Sequence, residues 1–498
     1  MTERVQKSEQ ISSYRTIIKA TSLFGGVQVY QILIQIIKSK FIAILLGPAG
    51  VGVLGLYQSA IDMIKQLTSF GLSQSAVRDV SEANGTCDMA HITRTITVVH
   101  RLVWLTGLLG SLVVILVSPF LSQLTFGDNT YILSFVILSV ILLLDQLCAG
   151  QKVILQGTRR LKDLAKASAI GVTVGLLACI PIFYWLGIKG IVPTLILNSL
   201  IALLLSWYYS KKIKIERISL SFREVLAEGG VMLKLGIALS FGSLLTAASA
   251  YILRGYIRSV GGTDEVGVFT AGYSIMSTYV GMVFAALSTD YYPRLAAVNN
   301  DEKECRDLVN YQGEIATLIL MPLLIICMVF MPVIIKILYS EKFLGASIYT
   351  IWAAAGMIFK LGSWVIAYQF IAKGDSKVFI FNEASCCAYM LILNIFGYIL
   401  FGLEGLGVSF VLGYLLYYLQ VLFVSKRKYD YRMSSAFCRL FLISLFINAC
   451  ALCIVLTIDG MMKYLLGSIV IVISLSISLI GIRQRIGSIN YFKRKKHE

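Results

Sequence analysis

Apolar residues run through this chain in stretches of about 20 or more, separated by short polar connections. Each such stretch can cross a bilayer as a helix. The runs are continuous, which argues against a membrane β-barrel, whose strands alternate with period two. The pattern predicts fourteen spans between residues 16 and 482, among them 16–46, 50–72, 131–156, 231–258, 266–292 and 346–372. The fold class expected is an all-α polytopic membrane protein. One span breaks the plain apolar pattern. In 16–46, Gln28, Gln31, Gln35 and Lys38 recur at steps of three, four and three, which places all four on one helical face. A wet stripe of this kind suits a helix that lines an internal passage.

The same region recurs in faded form about 215 residues later. GPAGVGVLGLYQ (47–58) lies over GTDEVGVFTAGY (262–273), so that Val51-Gly52-Val53 meets Val266-Gly267-Val268. Without a gap, Leu72-Ser73 then falls on Leu287-Ser288, and Arg78 lies one position out of step with Arg294. An offset of six spans preserves orientation, so a parallel repeat is expected, with substrate held between two lobes. The expected organisation is an N-lobe at 1–210, a basic linker at 211–230 and a C-lobe at 231–424. Two extra helices follow at 437–482, and a basic tail at 483–498.

Composition narrows the class. Of 498 residues, 57% are hydrophobic and 14% charged, with a mean hydropathy of +0.79. The net charge of +17 follows from 44 basic and 27 acidic residues, and most of the basic ones sit in alternate connections and the two tails. That asymmetry is the positive-inside signature rather than a nucleic-acid signal, and it puts both termini in the cytoplasm. The polar N-terminus carries no cleavable signal pattern, so the first span is expected to be retained. None of the ten cysteines falls in an expected outside loop, so structural disulfides are not expected. No Cys/His cluster has metal-ligand spacing. There is no GxxxxGK[ST] loop, and no connection exceeds about 25 residues. A built-in ATPase is thereby excluded, and the large catalytic loop common in membrane glycan polymerases and glycosyltransferases is missing.

Charges inside the spans are the candidate chemistry, because each costs about 2.5–3.5 kcal/mol on insertion scales and tends to face a cavity. Lys38 and Lys40 lie toward the outer end of the first span, and Arg254 and Arg258 toward the outer end of the seventh. Snorkelling to the outer headgroups is the alternative for all four. Ser240, Ser243, Ala247 and Ala250 continue the Arg254 face. In span 50–72, Gln58, Asp62, Lys65 and Ser69 form a stripe within which Asp62 and Lys65 can pair. Asp145 sits near the bilayer middle, either as a proton or cation site or as the partner of a lysine across the cavity. Lys360 has no acid in its own helix, and Asp290 and Arg294 close the eighth span. Basic residues outnumber acids inside the spans, which suits an anionic, phosphate-bearing substrate. Asp62, Asp145 and Asp290, with Arg294, are the candidates for coupling or gating. No cofactor is expected beyond a coupling H+ or Na+.

Five stretches in order, SKFIAILLGPAGVGVLGLYQS, FGLSQSAVRDVSE, VILQGTRRLKDLA, STDYYPRL and IAKGDSKVFIFNE, carry a family resemblance. The chain resembles the polysaccharide-exporter branch, the Wzx-type O-antigen or oligosaccharide flippases, of the multidrug/oligosaccharidyl-lipid/polysaccharide superfamily. That resemblance implies two six-helix lobes facing each other in a V, usually with two extra C-terminal helices. It implies transport of a polyprenyl-pyrophosphate-linked oligosaccharide from the cytoplasmic to the periplasmic leaflet of a bacterial inner membrane, the tail remaining in lipid. Membrane lipids and polysaccharide polymerase machinery are the partners it suggests, with no nucleic acid. No family motif assigns a ligand to Lys38, Lys65, Arg254 or Lys360. A cation-coupled multidrug antiporter of the same superfamily is the alternative, and a membrane glycan polymerase or glycosyltransferase a third reading.

Overall fold

The computed structural model describes the backbone of residues 2–86, 88–213, 218–299 and 301–495. It is helical from end to end, with no strand among the described residues. Lipid offers no partner for a free backbone N–H or C=O, so a segment in hydrocarbon must satisfy itself internally. The helices are α1 (Thr2–Thr68), α2 (Leu72–Gly85), α3 (Met89–Phe126), α4 (Ile132–Gly157), α5 (Leu161–Leu186) and α6 (Ile191–Ser210). They continue as α7 (Phe222–Ser274), α8 (Gly281–Ala297), α9 (Glu302–Leu338), α10 (Ala346–Ala372), α11 (Ser376–Tyr429), α12 (Ser435–Thr457) and α13 (Gly460–Lys495). A π-helical turn, Ile275–Val280, joins α7 to α8. Ten helical runs among the described residues are long and apolar enough to cross a membrane. Four of them, at 43, 50, 58 and 54 residues, have length for two crossings. No disulfide joins the nine cysteines within the described residues.

The chain forms two compact units, Met1–Val266 and Gly267–Glu498. In the first, α3 packs on α4, α4 on α6, α5 on α6 and α1 on α5. Its centre includes Tyr57 among Phe126, Tyr131 and Phe135. Most of α7 belongs to this unit, and Gly236 and Gly71 let the backbones of α7 and the α1–α2 corner meet directly. A Cβ on Gly236 would clash with the Phe70 carbonyl oxygen. In the second unit α10 packs on α9 and α11, while α12 and α13 both pack on α9. Tyr291, fully buried, donates to the Val365 carbonyl at 2.7 Å and lies against Trp364 and Tyr368.

Backbone torsions show the internal repeat more sharply than side chains do. Gly47 (φ 65, ψ −171) breaks α1, and Gly262 (φ 78, ψ −178) breaks α7. Gly187 (φ 54, ψ −132) ends α5, and Gly402 (φ 58, ψ −136) breaks α11. Both pairs keep the offset by which GPAG lies over GTDE. A third left-handed pair, Arg159 (φ 56) and Gly374 (φ 69), keeps it again. There the helix ends carry equivalent hydrogen bonds, Arg160 N to Leu155 O at 2.8 Å and Asp375 N to Phe370 O at 2.9 Å. Both are Schellman closures, which need a left-handed residue just past the helix. Asp88 and Asp301 cap α3 and α9 with their carboxylates, two residues short of that offset.

The positive-φ, near-extended state of Gly262 is nearly closed to other residues and costs them about 1–3 kcal/mol. Gly262→Ala is expected to lower the thermal unfolding temperature in detergent. Gly230→Ala, in α7 with nothing within 4 Å of the added Cβ, is expected to leave it unchanged or raise it. A second expectation concerns the turn between α10 and α11. Asp375 caps α11, pairs with Lys428 and accepts from Tyr429 at 2.9 Å. The Lys428 ammonium, ahead of the other contacts, holds its carboxyl below the usual range. A depressed folded-state pKa gives stability that is present above the unfolded value and lost as pH falls through the folded one. An acid titration of unfolding temperature should therefore show a loss below about pH 4 that is smaller in Asp375→Asn.

Candidate functional site

The wet stripe on α1 leads to a cavity within the first unit, of about 260 Å³. Gln31, Gln35 and Lys38 form one wall, Lys152 of α4 a second, and α5 and α6 the remainder. Gln28, the first member of the stripe, is exposed and is not among the lining residues. On α5 the lining positions are Ala167, Ser168, Gly171, Val172 and Gly175, nearly all small, which leaves room where a bulky helix face would fill it. Gly175 allows the Asn198 amide to come close, since a Cβ there would lie 2.6 Å from Asn198 Oδ1. Tyr30 and Thr173, 2.7 Å apart, tie α1 to α5 beside the cavity, and Ser206 on its wall lies 3.5 Å from Cys148.

The chemistry of the lining is one-sided. It offers three amides, two hydroxyls and two lysines, and no carboxylate. Amides and hydroxyls can both donate and accept, as sugar hydroxyls require, while ammonium groups only donate. Lys152, near the C-terminal end of α4, is a lining residue that the sequence pattern does not single out. The small-residue run on α5 at helical spacing was the available signal.

A second group of charges in the same unit is internally compensated. Lys65 Nζ lies 2.7 Å from Asp145 Oδ2, so its partner comes from α4 and not from Asp62 on its own helix. The alternative in which Asp145 pairs with a lysine is the one realised. Asp62, exposed, lies within electrostatic reach of Lys65, Asp145 and Arg254. Arg254 is only 8% exposed and donates to the Ala250 carbonyl at 3.3 Å. Two acids and two bases thus share one region, and neither Lys65 nor Arg254 is a surplus cation. Arg258 packs on the end of α3, where a Cβ on Gly127 would lie 2.5 Å from its Nη1. Ser240 is buried against Gly71 at the helix crossing, while Ser243 and Gln58 are exposed.

In the second unit, Lys360 Nζ lies over the rings of Tyr414 (5.3 Å) and Phe284 (5.8 Å). No carboxylate comes within ion-pair distance of it among the described residues. Ring faces supply the negative potential that an acid otherwise would. Nearby, Tyr417 donates to Glu383 at 2.5 Å. Asp290 and Arg294 pair with each other along α8 at 3.0 Å, both exposed. No group of three or more His, Cys, Asp or Glu residues with metal-site geometry occurs among the described residues.

Removing one member of the Lys65–Asp145 pair leaves the other charge without its partner. Discounted for partial exposure, Lys65→Ala is expected to cost about 1–3 kcal/mol. The Lys65→Ala/Asp145→Ala double substitution should cost less than the two singles together. Unfolding measurements in detergent across the four proteins check this.

The family model described as polysaccharide biosynthesis protein matches residues 41–348, more than half of the chain. A Shigella flexneri protein named as an O-antigen transporter is 25% identical over 327 residues, covering 62% of this chain and 74% of its own. The lipid III flippase of Escherichia coli K12 is 22% identical over 362 residues, or 70% of this chain and 84% of its own. Among solved structures, an inward-facing multidrug-resistance MATE transporter of the MOP superfamily aligns with a TM-score of 0.68 at 14% identity. It covers 81% of this chain and 94% of that one. The lipid II flippase MurJ, in an inward closed conformation, aligns at 0.64 and 14% identity, covering 94% of this chain and all of that one. The chain is a member of the polysaccharide biosynthesis protein family, with the fold of the MOP-superfamily transporters.

Proposed function

We propose that this protein is a flippase for a polyprenyl-pyrophosphate-linked oligosaccharide, a surface-polysaccharide repeat unit such as O-antigen. It carries the head group from the cytoplasmic to the periplasmic leaflet of a bacterial inner membrane. The observation that carries this reading is the cavity of α1, α4, α5 and α6, with Lys38 and Lys152 on its walls and no carboxylate among its lining residues. Its amides match sugar hydroxyls, and its ammonium groups match phosphate. Relatives named as an O-antigen transporter and a lipid III flippase support the same substrate class.

In this reading the chain crosses the membrane fourteen times with both termini cytoplasmic, and it acts as a carrier with no covalent step. The two halves alternate access by rocking, the polyprenyl tail remaining in lipid throughout. Asp145, paired with Lys65, and Asp62, within electrostatic reach of that pair, are with Asp290 the carboxylates proposed for a coupling proton or Na+. An exporter of cationic drugs fits the lining less well, since two lysines without an acid repel such cargo.

Each lysine contact to a charged phosphate is worth about 1.5–3 kcal/mol. Lys38→Ala and Lys152→Ala are therefore expected to cut glycan export about tenfold or more in a deletion strain, at unchanged protein level. Lys38→Arg should retain most of it. Full export by the Lys38→Ala/Lys152→Ala double variant would falsify the assignment of the cavity to the cargo.

A further inference from the structure

A feature outside the cavity recurs at the repeat offset, a cation over an exposed ring at the end of a helix. At the basic end of α6, the Lys212 ammonium lies 5.1 Å from the Tyr208 ring centroid and 4.5 Å from that of Tyr209. At the equivalent end of α11, the Arg427 guanidinium lies 4.5 Å from the Phe423 ring. Tyr208 corresponds to Phe423 and Lys212 to Arg427 under the offset that relates Gly187 to Gly402. One turn back on the same face stand Leu204 and Leu419. Exposure matches as well, 50% and 51% for the leucines and 60% and 56% for the aromatic rings. Each unit therefore presents an accessible ladder of leucine, ring and cation, rising along one helix face.

We infer that these two ladders are binding sites for anionic phospholipid, the acyl chain along Leu204 or Leu419 and the phosphate on Lys212 or Arg427. A cation held over a ring face is oriented and keeps its remaining N–H donors for an acceptor beyond the ring. Aromatic side chains occupy the headgroup level of a bilayer, and leucine one turn deeper meets acyl chain. Charge complementarity selects the occupant. Lys211 and Lys426, at matching positions beside the two ladders, add positive charge, and each Lys or Arg near an anionic membrane surface contributes about 1 kcal/mol. The duplication selects a bulk membrane component over cargo, because a carrier loads one substrate at a time and both units here carry the same device. These sites are independent of the cavity lysines and of the flippase reading.

Native mass spectrometry of the full-length protein, released from detergent containing phosphatidylglycerol or phosphatidylethanolamine, tests the inference. The parent protein is expected to retain two phosphatidylglycerol molecules in preference to phosphatidylethanolamine. Lys212→Gln and Arg427→Gln should each lose one, with roughly fivefold weaker retention per cation removed. The double variant should lose both, and Lys212→Arg should retain its lipid. An unchanged unfolding temperature in the variants separates lipid loss from misfolding. Retention of both phosphatidylglycerol molecules by the double variant, or equal retention of phosphatidylethanolamine by the parent, overturns the inference. Displacement of both phosphatidylglycerols by stoichiometric polyprenyl pyrophosphate overturns it in favour of cargo loading at these ladders.

Discussion

A charge inside hydrocarbon must be compensated by a partner or given a wet, polar surround, and this constraint sorts the intramembrane residues of this chain. Lys65 with Asp145, and Asp62 with Arg254 in reach, form the compensated set. Lys38 and Lys152 belong to the second kind, placed around a polar cavity without an acid. Lys360 is a third case, met by the faces of Phe284 and Tyr414. A simple count of bases over acids within the spans treats all five cations alike. The arrangement separates those already engaged from those free to meet an anionic head group.

Small residues do the spatial work that makes such a cavity possible. Ser168, Gly171 and Gly175 thin one face of α5, and the opposite faces of α1 and α6 supply polar atoms to the space. Elsewhere glycine acts through the backbone. Gly47 and Gly262 hold near-extended, positive-φ geometry inside otherwise continuous helices, and Gly187 at the end of α5 and Gly402 within α11 share a second positive-φ conformation. Side chains facing lipid need only be apolar and so drift freely between the halves. Torsions that only glycine adopts easily cannot drift, which is why the repeat is clearest at those positions. Arg159 is the exception, a non-glycine in the left-handed position that Gly374 occupies in the second half.

The fold places this chain beside transporters of unlike cargo at 14% identity, a multidrug MATE protein and a lipid II flippase. Architecture is thus common property, and cargo is decided by which side chains face the internal spaces. Here those are amides, hydroxyls and lysines, a set suited to sugars and phosphate.

Much of this was legible in the one-dimensional pattern. Apolar runs of membrane length fixed the all-helical class, because lipid leaves the backbone no other solution. Helical periodicity put Gln31, Gln35 and Lys38 on one face, and they share the cavity. The match of GIKG (187–190) to GLEG (402–405) was equally open to reading, at the offset already given by GPAG and GTDE. Other features depend on helices that meet only in space. Periodicity cannot say where a stripe leaves the cavity wall, and Gln28 lies outside it. Nor can it choose between Asp62, one turn away, and Asp145 on another helix as the partner of Lys65. Lys152 reads as one more connection charge until α4 is packed against α6 and its neighbours, and then it is a cavity wall. Local sequence determined which residues share a helix face, because that follows from 3.6 residues per turn. The tertiary structure decided what each face meets, because that depends on neighbours distant in the chain.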